Sequence, residues 1–198
     1  AARLQADCCE IYTDVPGIFT ADPRMVPKAK KLNQISFDEM LELSMLGAGV
    51  LHPRSVECAK KYNVNLIVRS SFCDEEGTMI REVAQVEQGL IISGVAHDVH
   101  VSKITVVNMP NKVGTLASLF SLLAKEHINV DVIVQSSHDE MLTNISFTVA
   151  DHDLQRTKEI LTKYQEQLDF EEIQLEDDLA KVSIVGAGMV TNPGVAAN

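Results

Sequence analysis

Lys103-Ile104-Thr105-Val106-Val107, followed by a loop and then Gly114-Thr115-Leu116-Ala117, is the stretch that decides the fold. A β-branched run that gives way to a loop, a glycine and a helical apolar pattern reads as strand, loop, helix. Leu116, Leu119, Phe120 and Leu123 line one face of that helix, which is expected to end near His127. Val130, Val132 and Val134 then alternate with Asp131, Ile133 and Gln135, which gives the following strand one fully apolar face. Ile145, Phe147 and Val149 repeat the alternation in a third strand. Leu154, Leu161, Tyr164 and Leu168 mark a second amphipathic helix, and Phe170 to Leu175 supplies a last strand. From Val101 the order is β-α-β-β-α-β, the ferredoxin-like split βαβ arrangement. Two helices on one face of an antiparallel sheet leave its other face to solvent or to a partner.

The opening motif recurs. Lys181-Val182-Ser183-Ile184-Val185 leads through a similar loop to Gly194-Val195-Ala196-Ala197, with the strands offset by 78 residues and the glycines by 80. Repetition at a fixed spacing predicts a second copy of the same module. Its helix has barely begun at Asn198, so the chain is expected to be part of a longer protein, and apolar Val182, Ile184 and Val185 are expected to lack a complete core.

Charge divides the chain. Residues 1–72 are near neutral at +1, whereas residues 73–198 carry a net charge of -12, which argues for two units with different surfaces. The acidic part would repel the phosphate backbone whose neutralisation drives nucleic-acid binding, and the near-neutral part can still hold a local anion site. The apolar runs are too short to span a bilayer, and no signal-peptide pattern opens the chain. Cys8, Cys9, Cys58 and Cys73 show neither metal-ligand nor disulfide-framework spacing, so they read as idle thiols in a reducing cytoplasm.

Upstream, helices and strands alternate as in a partly parallel α/β sheet. Ala1 to Gln5 reads as a helix tail and Cys9 to Thr13 as a strand that enters the turn Asp14-Val15-Pro16-Gly17. Phe19 to Lys31 is mostly loop. Ser36-Phe37-Asp38-Glu39 matches a capping box, with Phe37, Met40, Leu41 and Met45 as the apolar stripe of its helix. His52-Pro53 opens another helix, and Val64 to Val68 is a buried strand. Residues 73–89 read as a linker, and Leu90 to Gly94 as a strand.

Several residues admit both a binding role and a plain structural one. Thr13 and Asp14 lie past a strand end, where ligands bind in open α/β sheets, or they cap a turn. Phe19 stacks on a flat ring or belongs to the core. Arg24 holds phosphate oxygens with its fork of donors or pairs with Asp22. Lys28, Lys30 and Lys31 raise the local potential or form a solvated face. His52 has no partner for a triad and reads as a hydrogen-bonding residue. Gly186-Ala187-Gly188 lacks the third glycine of a dinucleotide loop. Asn111 and the amides of Gly114 to Leu116 stand where a helix N-terminus can hold a carboxylate, and Asn129, Asp131 and Gln135 are polar positions beside them. The plain alternative there is a helix cap among surface polar groups.

Thr13 to Arg24, Phe37 to Leu43, Gly47-Ala48-Gly49-Val50-Leu51-His52-Pro53-Arg54 and Val68 to Phe72 together closely resemble aspartate kinases of the monofunctional type. Residues 73–198, through Val182-Ser183-Ile184-Val185-Gly186-Ala187-Gly188-Met189, resemble their paired ACT regulatory domains. The resemblance implies the C-terminal part of an amino-acid-kinase sheet domain over residues 1–72, a linker over 73–89, a first ACT domain over 90–180 and the start of a second over 181–198. It implies transfer of the ATP γ-phosphoryl group, with Mg²⁺, to the β-carboxylate of L-aspartate, in a cytoplasmic enzyme of lysine, threonine and methionine synthesis. By motif, Thr13, Asp14, Phe19, Arg24, Gly49 and Val50 become nucleotide contacts, although many members of the family carry Lys at the position of Gly49. Asn111, Gly114, Thr115, Leu116, Asn129, Asp131 and Gln135 become contacts of an amino-acid effector, L-threonine before L-lysine. The Met189–Pro193 loop would complete that site. The family's phosphate loop, catalytic lysine and aspartate pocket precede the stretch corresponding to Ala1, so the chain alone is expected to be inactive. The family's ACT domains also imply a homo- or hetero-oligomer. The alternative is a separate amino-acid-binding regulatory subunit, which such subunits would match only from about Met79 onward.

Overall fold

The structure, a computed structural model, describes residues 1–82, 92–137, 140–190, 192, 194 and 195. The chain divides into one unit of Ala1–Asp98 with Val182–Asn198 and another of Val99–Lys181. No described helix is long and apolar enough to cross a membrane.

In the first unit, strand β1 (Cys8–Thr13) and strand β2 (Gln34–Ser36) are followed by helices α1 (Phe37–Met45) and α2 (Pro53–Lys61), then by strands β3 (Asn65–Ser70) and β4 (Thr78–Arg81). The sheet order is β1-β3-β4-β2. β1 runs parallel to β3 from Cys8↔Asn65 to Thr13↔Ser70, β2 runs parallel to β4, and β3 is antiparallel to β4. The start of α1 follows the capping box: Ser36 Oγ accepts from the Glu39 amide at 3.2 Å, while a Glu39 carboxylate oxygen accepts from the Ser36 amide at 3.2 Å. The buried stripe of α1 is Phe37, Met40 and Leu43, whereas Met45, expected on it, is 67% exposed. His52 is the N-cap of α2, its Nδ1 accepting from the Arg54 amide at 3.2 Å, with Pro53 in the first turn where a missing N–H costs nothing. A short 3-10 turn at Ala2–Leu4 stands where a helix tail was expected.

Thr78–Arg81, read from sequence as linker, is a central strand of this sheet. Four residues after the polar run Asp74-Glu75-Glu76-Gly77 are too few to show a period. Yet Ile80 is fully buried between β3 and β2, and Thr78 Oγ1 takes the Ile18 amide at 2.8 Å and donates to the Leu32 carbonyl at 2.6 Å.

The second unit has the expected order. Strand β5 (Gly94–Pro110), helix α3 (Thr115–Lys125), strands β6 (Ile133–Ser137) and β7 (Leu142–Ala150), helices α4 (Leu154–Lys163) and α5 (Gln165–Leu168), and strand β8 (Glu172–Val185) form a sheet ordered β6-β7-β5-β8. Leu119, Leu123 and Leu161 from the helices pack on Ile104, Val106, Ile145 and Phe147, all buried. Phe120 meets Phe147 edge to face at 5.6 Å. A register irregularity between Val106 and Met109 carries Asn108 at φ 52°, the left-handed region that asparagine tolerates.

Four further expectations change. One helix was expected from Leu154 to Leu168, but the chain breaks at Tyr164 into α4 and α5. The Val132–Val134 stretch lies on the edge of the sheet, so Val132, Ile133 and Val134 are 44–54% exposed on both faces rather than apolar on one. Phe170–Leu175 and Lys181–Val185, expected as separate strands, are joined in β8. Val185, expected without a core, is buried in the core of the first unit, whereas Val182 and Ile184 are exposed as anticipated. Of the strand expected at Leu90–Gly94, Leu90 and Ile91 lie outside the described residues, and Gly94 opens β5.

Ile80→Ala should destabilise the first unit by about 2–5 kcal/mol, the range for deleting a buried aliphatic side chain. Urea unfolding followed by a probe in that unit measures this, and a loss under about 1 kcal/mol would deny β4 its place in the core.

Candidate functional site

The candidate residues fall in two sets, one in each unit. The first begins at the end of β1. Thr13 Oγ1 donates to the Val15 carbonyl at 3.1 Å and accepts from the Val15 amide at 3.0 Å, so this hydroxyl closes the turn. Asp14 stands exposed beyond it. Gly17, at φ 148°, lies so close to Thr78 that an added Cβ would come within 2.5 Å of Oγ1. The turn is thereby seated on the strand the sequence did not reveal. From Ile18 the chain runs into an irregular hairpin: Leu32 donates to the Ile18 carbonyl and Thr20 to the Lys30 carbonyl, both at 2.8 Å, and half-buried Phe19 bridges to Lys31. Lys31 is bound to Glu75 and to the Glu76 carbonyl, each at 2.8 Å.

Arg24 points its fork at Asp22. Its Nε lies 3.0 Å and its Nη2 2.8 Å from the two carboxylate oxygens, and its amide adds a third bond at 2.9 Å. These bonds hold the Asp22 carboxyl below its ordinary pKa and raise that of Arg24, whose charge also feels Asp14. The guanidinium is 89% exposed. It can therefore exchange Asp22 for the oxygens of an incoming phosphate at small cost. Gly49 and Val50 occupy a separate loop after α1, where an added Cβ at Gly49 would meet open space.

The second set lies in the other unit. A cavity of about 300 Å³ is floored by buried Met109, Thr143 and Ile145 and rimmed by Asn111, Lys112 and Gln135, with the start of α3 at Gly114–Leu116 forming one wall. Gly114 offers no side-chain cap to α3; the Thr115 amide donates to the Lys112 carbonyl at 3.2 Å, and the next first-turn amides, which have no intrahelical partner, can serve a bound anion. Asn111 is fixed by its amide to the Met141 carbonyl at 2.8 Å, and its Oδ1 accepts from Gln135 at 3.5 Å. A helix N-terminus and a lysine suit a carboxylate, and two side-chain amides suit the donors of an ammonium or hydroxyl.

Of the expected effector contacts, the cavity gathers Asn111, Gly114, Thr115, Leu116 and Gln135. It does not include Asn129 or Asp131. Asp131 is ion-paired with Lys181, and its amide donates to Thr148. Spacing along a strand could not disclose that partner fifty residues away. Met109, Lys112, Thr143 and Ile145 were missed: three belong to the floor, where a buried position speaks only of core, and Lys112 looks like any loop lysine. Of the Met189–Pro193 loop, Thr191 and Pro193 lie outside the described residues.

An α/β sheet unit joined to a ferredoxin-like unit is the architecture of an amino-acid-kinase-type sheet followed by an ACT-like fold. Residues 1–70 match the amino acid kinase family and residues 104–165 the ACT domain. Aspartokinase 2 of Bacillus subtilis is 53% identical over all of this chain and 48% of its own length. Escherichia coli aspartokinase III, solved with aspartate and ADP, is 28% identical with a TM-score of 0.81 over 98% of this chain and 43% of that one. The regulatory subunit of the Thermus thermophilus aspartate kinase is 33% identical, with a TM-score of 0.51 over 55% of this chain and 71% of that one. The chain belongs to the aspartate kinase family. It spans about half the length of the curated relatives it matches.

Arg24→Ala should raise the titration midpoint of the Asp22 carboxyl, because the hydrogen bonds that now lower it are removed. Carbon-detected NMR of the side chain reads this directly, and an unchanged midpoint would mean that the pair does not form in solution.

Proposed function

We propose that this chain is the nucleotide-side and regulatory part of an aspartate kinase, which transfers the γ-phosphoryl group of ATP to the β-carboxylate of L-aspartate under feedback control by an amino acid. The observation that carries this reading is the 53% identity to an aspartokinase along the whole of the chain. Thr13, Asp14, Phe19 and Arg24 would form the nucleotide wall, with Gly49 and Val50 approaching the phosphates through their backbone. Asp14 is exposed and would contact the nucleotide or its Mg²⁺, which typically keeps several waters and substrate phosphates among its ligands. Phosphoryl transfer is chiefly a matter of positioning and charge neutralisation, and Arg24, once released from Asp22, supplies a bidentate cation. The setting is the cytoplasm. The exposed β6 edge, with Val132, Ile133 and Val134, supports association with another ACT unit, of the same or another chain.

The cavity at Asn111, Gly114, Thr115, Leu116 and Gln135 would take the effector, its carboxylate on the α3 amides and its ammonium on side-chain oxygens. L-threonine fits better than L-lysine, because among the described residues no acidic side chain lines the cavity to receive a second ammonium. Asn129 and Asp131 then act indirectly, Asp131 by anchoring Lys181. Residues 181–198 are read as the opening of a second ACT domain. A separate regulatory subunit is the second reading, favoured by the 71% coverage of the Thermus subunit; the match of residues 1–70 to the amino acid kinase family speaks against it.

In the full-length enzyme, Asp14→Ala should raise KM for ATP about tenfold or more, as expected for loss of one charged contact worth about 1.4 kcal/mol. Steady-state kinetics with no parameter altered would remove Asp14 from the nucleotide wall. Gln135→Ala should weaken L-threonine binding by a similar factor of about ten in calorimetry while leaving kcat without effector unchanged. Parent-like affinity would take Gln135 out of the effector site.

A further inference from the structure

Thr78 opens β4 and is fully buried, and its hydroxyl lies beneath the residues read as the nucleotide wall. Oγ1 accepts from the Ile18 amide at 2.8 Å and donates to the Leu32 carbonyl at 2.6 Å. The Ile18 carbonyl, 3.5 Å from the same oxygen, is engaged instead by the Leu32 amide at 2.8 Å. A hydroxyl has one hydrogen to give and lone pairs to accept with, and here both capacities are used. Ile18 and Leu32 are the two legs of the hairpin that carries Phe19, Asp22 and Arg24. On the other side of Ile18, Gly17 packs on Thr78 Oγ1 and leads back through the turn to Asp14 and Thr13.

The entry to β4 grips the same hairpin from outside. Lys31, beside Leu32, binds Glu75 and the Glu76 carbonyl, and the Met79 amide donates to the Asn33 carbonyl at 3.0 Å. Gly77 is pressed on β3, where the Val68 carbonyl oxygen would stand 2.0 Å from an added Cβ. The segment that presents Thr78 is therefore seated against the sheet. Residues 23–28, at the far end of the hairpin, are all exposed, so their position is set at its base. Arg24 also feels the charge of Asp14, which means that turn and hairpin present these two groups to one region.

We propose that Thr78 is a positioning residue for the nucleotide, its hydroxyl fixing the spacing between the Asp14 turn and the Arg24 hairpin. The inference rests on the reading of those residues as nucleotide contacts. Without the hydroxyl, the Ile18 amide and the Leu32 carbonyl each lose a partner in a place closed to water. An unsatisfied buried donor is costly, so the two legs shift until the groups find new partners, and Asp14 and Arg24 shift with them.

In the full-length enzyme, Thr78→Val keeps the branched shape and removes the hydroxyl, whereas Thr78→Ser keeps the hydroxyl. Steady-state kinetics of Thr78→Val should show KM for ATP raised about tenfold, short of the roughly hundredfold that a 1 Å misplacement can cost, with KM for L-aspartate within about twofold of the parent's. Thr78→Ser should bring KM for ATP back near the parent's. A purely structural role would lower the folded fraction, and with it the apparent kcat, while moving neither KM. Parent-like KM for ATP in Thr78→Val overturns the inference, and so does an equal rise in both KM values. If Asp14→Ala is parent-like as well, the nucleotide reading falls with it; if Asp14→Ala raises KM for ATP, that reading stands. Should Thr78→Val not fold, Glu75→Ala loosens the same base from the surface, where the Glu75 side chain is 61% exposed. Loss of positioning then raises KM for ATP, although Lys31 is freed as a cation. An unchanged or lowered value overturns the inference.

Discussion

A carboxylate with little access to water has to be surrounded by donors, and Glu39 organises the first unit by that requirement. Removing a charge from solvent costs several kcal/mol unless hydrogen bonds replace the lost water. Glu39 is 7% exposed, and its donors come from three separate places in the chain: Ser36 at the start of α1, Ser93 before β5 and Ala187 after β8. Each is fixed by satisfying the same group. The cap that starts α1, the entry to β5 and the end of β8 are consequently one problem in electrostatics, solved by one side chain. The Gly186-Ala187-Gly188 stretch, which superficially resembles a dinucleotide loop, turns its amide to a carboxylate of the protein itself.

Patterned residues were legible in the sequence, and lone partners were not. The split βαβ order was readable because Ile145, Phe147 and Val149 alternate over a long strand and because Leu116, Leu119, Phe120 and Leu123 repeat at helical spacing. The capping box was readable because Ser36 and Glu39 interact locally. β4 was not, since four residues between a polar run and Glu82 carry no period, and its burial depends on neighbours that are distant in sequence. Val132–Val134 misled for the opposite reason. Its alternation is real, but an edge strand leaves both faces open, and periodicity records which residues share a face without saying what covers it.

The candidate sites divide in the same way. The Asn111–Leu116 loop was found because a glycine before a helix is a local signal, and the cavity lies at that loop. Asp131 drew attention as a charged residue beside it, yet its partner is Lys181 at the end of the unit, a tertiary fact that no window of sequence contains. Arg24 was left between phosphate and Asp22. The bidentate pair answers for the unliganded protein, and the exposure of the guanidinium keeps the other role open to it.

An added Cβ at Gly49 would meet nothing within 4 Å, so packing places no constraint on the first carbon of what occupies it. Most positions beside a binding loop are tied to a core and cannot change without repacking. This one can take a side chain at its first carbon while the fold stays as it is. Under the proposed phosphate role of this loop, Gly49 is a position where a change of very few nucleotides could tune that contact with little penalty in stability.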